Sequence, residues 1–163
     1  MSHIRTLAQR RLARLRRRQQ REKSLPASRR GSSAFFYDAS LRISGIGSHH
    51  DEIVARTGLV PKIVHLKGEP RASARHPQWT EDLWVLDSPL GERASLDAHA
   101  AWLWQAVRPH RAYFESLLAE ASRADLWLGC LSESAFPVLG LDPGSLEIVR
   151  ELKLGLAFNF TCV

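Results

Sequence analysis

The stretch Phe35 to Gly45, FFYDASLRISG, constrains the fold of this chain more than any other. Its odd positions Phe35, Tyr37, Ala39, Leu41 and Ile43 are mostly apolar, while Asp38, Ser40, Arg42 and Ser44 fill most of the even ones. Successive side chains on a strand point to opposite faces, so this alternation predicts a ribbon with one dry and one wet face. The rest of the chain has to cover the dry face.

The following elements can be placed in order. Ser48 with Asp51 three residues later predicts a capping-box helix start, and Gly58 a left-handed stop. Val60 to Leu66 is strand-like, Lys67 to Pro70 turns out of it, Arg71 to Gln78 reads as loop, and Leu83 to Ser88 is the next strand. Ser95 to Ser122 is the largest helical region, with Leu96, Ala100, Leu103, Trp104 and Val107 as one stripe. Pro109 lies inside it and predicts a break near Arg108. Ala124 to Leu131 alternates again with Leu126, Leu128 and Cys130 inward, and Asp142-Pro143 opens a helix lined by Leu146, Val149 and Leu152. Leu154, Leu156, Phe158, Phe160 and Cys162 end the chain as the clearest period-two strand.

This order predicts an α+β domain, a single mostly antiparallel sheet of about five strands with helices on one face. The order β-α-β-β-α-β-α-β begins as the ferredoxin-like split arrangement does.

Charge divides the chain in two. Residues 1–30 hold eleven Lys or Arg against the single Glu22, a net of +10, and residues 31–163 hold twelve against sixteen acids, a net of −4. Residues 1–33 therefore read as a basic arm before a globular domain at 34–163. Ile4, Leu7, Ala8, Leu12 and Leu15 fall at helical spacing, with Arg10, Arg11, Arg14, Arg16, Arg17, Arg18 and Arg21 around them, and Ser24 to Ser33 has linker composition. Four readings of the arm stay open: a clamp for nucleic acid or an anionic surface, an organelle transit peptide, a solvated tail, or sequence upstream of a later start, since Met1 is the only methionine. Cys130 and Cys162 read as reduced core residues, since two cysteines make no disulfide framework and no zinc spacing. No apolar run approaches the ~20 residues a membrane span needs, and the cytoplasm is the default location.

Leu41-Arg42-Ile43-Ser44-Gly45, Asp51-Glu52-Ile53, Gly58-Leu59 with Pro61, Lys67-Gly68-Glu69, Leu83-Trp84 with Ser88, and Leu152 with Gly155-Leu156 occur in this order. Together they resemble a bacterial family known as domain of unknown function 4279, from about Ala34 to Val163. The resemblance implies a small α+β domain and supplies no activity, cofactor or catalytic set. Ala135 to Leu139 departs from the polar, glycine-containing turn expected there, which leaves the length of the fourth strand open.

Candidate sites are few. His49, His50, Asp51 and Glu52 could offer at most two ligands to one ion, because consecutive helical residues point about 100 degrees apart, so no metal is expected. Gly45-Ile46-Gly47 sits between a strand and a helix, where a phosphate loop would lie, but lacks the third glycine and any following Lys-Ser or Lys-Thr pair, so a tight turn is expected. The remaining candidates form a partner or ligand surface: Arg42, Lys67, Glu69 and Arg71 on the wet face, Trp84 on a strand, and Trp102 off the helical stripe.

No catalytic constellation and no cofactor motif is present, which favours a non-enzymatic, protein-interaction module of immunity or accessory type. A small-ligand binder or enzyme using the polar sheet face is the alternative, and a domain anchored to nucleic acid through its arm is a third reading.

Overall fold

The computed structural model describes residues 35–72, 75, 77–132 and 139–162. The arm, with the seven arginines named above, and most of the Ala135 to Leu139 departure lie outside these residues. Five strands form one sheet: β1 (Phe36–Ser44), β2 (Ile63–His65), β3 (Leu83–Asp87), β4 (Arg123–Ser132) and β5 (Gly155–Cys162). Among the described residues four α-helices accompany them: α1 (His50–Thr57), α2 (Leu96–Val107), α3 (Arg111–Glu120) and α4 (Glu147–Leu152).

The strands lie in the order β2-β3-β1-β4-β5. Every pairing is antiparallel except β4 with β5. The portion β4-β1-β3-β2 is the ferredoxin-like arrangement that the element order predicts. α4 then carries the chain over to add β5 in parallel outside β4, as a parallel neighbour requires a crossover.

The alternation of β1 sets the two faces. Leu41 lies between Leu86 on β3 and Leu126 on β4, and Ile43 between Trp84 and Ala124. These side chains meet Ile53 of α1, Leu96, Ala100, Leu103 and Val107 of α2, Phe114 and Leu117 of α3, and Ile148 and Leu152 of α4 in one core. Each fully buried Leu or Ile contributes about 2 kcal/mol by leaving water. Among the described residues all helices therefore share one side of the sheet, and the other side is free of helix.

The helix boundaries follow local chemistry, with some differences from expectation. The Ser95 hydroxyl accepts the Ala98 N–H at 3.1 Å and caps α2. The break at Arg108 is present as a 3-10 turn over Arg108–His110 that contains Pro109, and α3 follows it. Gly58 ends α1 with φ of 68°, its N–H donating to the Val54 carbonyl. The Ser48 capping box does not form, because a 3-10 turn over Gly47–His49 precedes α1, and His49 instead pairs with Glu52 at 2.7 Å. β2 is shorter than Val60 to Leu66 implies, Pro61 having no N–H to give to the ladder. In α4 the most buried residues are Ile148 and Leu152, with Leu146 and Val149 half-buried beside them, because the helix opens with a 3-10 turn over Pro143–Leu146 that rotates its face.

At the end of β1, Gly45 adopts φ of 72°, and a Cβ built there would lie 2.6 Å from the Ser122 Cβ. Both conditions penalise any side chain. Gly45→Ala is expected to cost about 2 kcal/mol in urea unfolding, whereas the exposed Gly91→Ala, with open space around it, should stay within about 0.5 kcal/mol.

Candidate interaction surface on the helix-free face

The helix-free face of the sheet is built from the even positions of β1 and their neighbours. Arg42 stands beside Val85 and Asp125, Ser40 beside Asp87 and Trp127, and Asp38 beside Gly129. Arg42 is half-buried, and its guanidinium carbon lies 4.0 Å from the centre of the Trp127 ring. Its Nε donates to the buried Ser40 hydroxyl at 3.1 Å. Burial pulls the Arg42 guanidinium below its ordinary value, and Asp87, Asp38 and Asp125 pull it back up. It stays cationic at any ordinary pH, as guanidinium does.

The carboxylates are held in turn. Asp87 pairs with Lys62 at 3.3 Å and Asp125 with Arg123 at 2.5 Å. Two glycines make room for them: a Cβ on Gly129 would lie 2.1 Å from an Asp38 oxygen, and one on Gly155 2.2 Å from an Asp125 oxygen. Small residues on β4 and β5 let the acids lie flat across the strands.

Two more stacks flank the central one. At the start of β1, Arg93 lies 4.7 Å over the Phe36 ring. At the other end, Arg71 lies 4.1 Å over Trp79, and Trp79 stacks on His65 of β2 at 4.1 Å. The loop that brings them there folds back on itself, with Gly68 N–H donating to the Trp79 carbonyl and Trp79 N–H to that of Glu69. Phe36 and His65 share the parity of Arg42 through the registers of β1, β3 and β2, so all three stacks belong to one face.

Only part of the surface expected from sequence is assembled there. Arg42 is central. Lys67, Glu69 and Arg71 do not gather around it; they form the loop beyond β2, where a Glu69 oxygen accepts the Leu66 N–H at 2.9 Å. Trp84 is corrected from surface to core: it is 0% exposed, opposite Ile43, with its ring 6.3 Å from Phe114. Trp102 is half-buried and packs against the core from α2, on the side away from Arg42. Trp127, Trp79 and Phe36 are rings of this face that the surface expected from sequence did not include. The parity that sends Leu126 and Leu128 inward sends Trp127 outward, so the signal for it existed.

The other motifs are absorbed structurally. Ile46 and Gly47 N–H each donate to the same Asp82 carboxylate oxygen at 2.7 Å, so the anion at the Gly45-Ile46-Gly47 turn is one of the protein's own side chains. Burial pushes the Asp82 carboxyl up, but backbone donors at Asp82, Gly47 and Ile46 and the neighbouring His50 outweigh it and hold the group below its ordinary value. His50 is buried with Nε2 3.4 Å from Asp82, while His49 faces Glu52 and Glu120. The two histidines thus turn to different partners. Cys130 is buried, and burial pushes its thiol up; Cys162 is exposed at the end of β5, contrary to the inward reading.

A cavity of about 90 Å³ lies on the helix side, lined by Tyr37, Ser95, Leu96, Asp97, Leu139 and Gly140. It is well below the ~300 Å³ at which small-molecule pockets begin. Among the described residues no helix is long and apolar enough to cross a membrane.

Comparison with curated proteins and with solved structures finds no significant match. The family model of DUF4279, a domain of unknown function, matches residues 34–162, which is the whole of the sheet and its helices, and the chain belongs to that family.

Proposed function

We propose that the domain is a non-enzymatic protein-interaction module whose binding surface is the helix-free face of the sheet. The observation that carries this reading is the row of three arginine-on-ring stacks, Arg93 on Phe36, Arg42 on Trp127 and Arg71 on Trp79, along a face that no helix among the described residues covers. Tryptophan and arginine are the residues that most often dominate binding energy at protein interfaces. Stacking holds each guanidinium in place before a partner arrives, which lowers the side-chain entropy lost on association. The carboxylates Asp38, Asp87 and Asp125 around the central stack add a charge pattern that a partner would have to match, which favours selectivity over raw affinity.

The full chain with Arg42→Ala and Trp127→Ala is expected to keep its fold by circular dichroism. It should bind the protein captured by the unmodified chain from native lysate about thirty-fold more weakly, the loss of one hot spot of about 2 kcal/mol. Equal retention by the folded double variant would sink the proposal.

A further inference from the structure

The edge strand β5 carries a second surface that the helix-free face does not explain. Leu156, Phe158 and Phe160 are 39%, 45% and 49% exposed, and the Phe158 and Phe160 rings stack with centres 5.9 Å apart. By register they sit beside Leu126, Leu128 and Cys130, on the side of the sheet that the helices cover. Among the described residues the helices pack over β1 and β4 and leave this row exposed. From Gly155 to Cys162 there is no charged residue and no proline, the devices by which sheet edges normally avoid unwanted pairing. A row of this kind needs a cover.

We infer that the basic arm of this same chain supplies it, residues 4–21 docking as a helix along the Leu156, Phe158 and Phe160 row. Four observations fit this occupant. The arm carries one apolar stripe at helical spacing, Ile4, Leu7, Ala8, Leu12 and Leu15. As a helix its 18 residues would run ~27 Å, against ~26 Å for the eight residues of β5. The tether reaches: Phe36 pairs with Leu131, and Leu131 with Thr161, so the arm enters at the end of the sheet where β5 finishes, two strand spacings or about 10 Å away. The ten residues Ser24 to Ser33 could span up to about 33 Å.

Charge favours the same arrangement, since an arm of net +10 is joined to a body of net −4. The tether also gives the arm an effective concentration near the millimolar range, an advantage over any second copy of the chain competing for the same edge. The arm's helix would complete the layer that covers this side of the sheet.

The test compares amide hydrogen exchange of β5 in the full chain and in the full chain bearing Leu7→Asp and Leu12→Asp, each at two protein concentrations tenfold apart. Both substitutions lie outside the family match at residues 34–162, which contains every strand of the sheet, so the sheet is expected to form in either protein. The expected result is that residues Gly155 to Cys162 exchange at least tenfold faster in the variant, with β1 unchanged and no effect of concentration. Exchange of β5 that is the same in both proteins overturns the inference. Protection that rises with concentration and ignores the two substitutions also overturns it, by assigning the edge to a second copy.

Discussion

Trp84→Ala is expected to destabilise the domain by about 4 kcal/mol in equilibrium urea unfolding, the range for removing a large aromatic side chain from a closed core. The residue is inaccessible to solvent, sits opposite Ile43, and packs against Phe114, so truncation leaves a cavity between the centre of the sheet and α3. A shift of the midpoint with an unchanged slope would place the effect in native stability. Trp84→Phe should cost much less, because the indole N–H has no hydrogen-bond partner among the described residues and its loss strands nothing. Were Trp84 a partner anchor at the surface, the alanine variant would fall within about 0.5 kcal/mol of the parent.

Asp82→Ala is the second large effect, about 3 kcal/mol. Its carboxylate joins the loop before β3 to the turn after β1, and removal leaves the Ile46 and Gly47 N–H groups without their acceptor. Stranded buried donors cost ~1–3 kcal/mol each. Asp82→Asn should recover part of the loss, because the amide oxygen can still accept but no longer carries charge. The acid dependence follows from the depressed carboxyl. A carboxyl lowered in the folded state stabilises it fully above the unfolded value of about 3.9, and this contribution is lost as pH falls through the lower, folded value. The parent should therefore lose stability below about pH 4 more steeply than Asp82→Asn does. Parallel pH profiles for the two proteins would show that the charge on Asp82 is not what holds the turn.

What was legible in the sequence was local. The period of two in Phe35 to Ile43 gives the two faces of β1, because side-chain alternation is a property of the strand itself, and Arg42 follows from it as a residue of the open face. Pro109 and Gly58 mark the helix break and the helix stop for the same reason. Trp84 was misplaced because Leu83 to Leu86 is apolar on both faces, and alternation cannot tell which side of such a strand is covered.

The period of two puts Leu156, Phe158 and Phe160 on one face of β5, and register makes that the helix side, yet they are exposed. Parity fixes direction, whereas burial depends on where α2 and α4 end, and that is set by packing between distant segments. Asp82 carries no local pattern that predicts its partners, which lie 36 and 35 residues away. The stacks on the helix-free face are likewise products of register, since Arg42 and Trp127 are 85 positions apart in sequence and one strand apart in the sheet.

The most direct test of the central claim is hydroxyl-radical footprinting of the captured complex, read at the five tryptophans. Trp127 and Trp79 lie on the helix-free face, Trp102 lies on α2 at the opposite side, and Trp84 and Trp104 are buried. The account predicts that the partner slows oxidation of Trp127 and Trp79 several-fold and leaves Trp102 unchanged. Protection of Trp102 with Trp127 and Trp79 as reactive as in the unbound protein would contradict it, and would move the interaction surface to the helices.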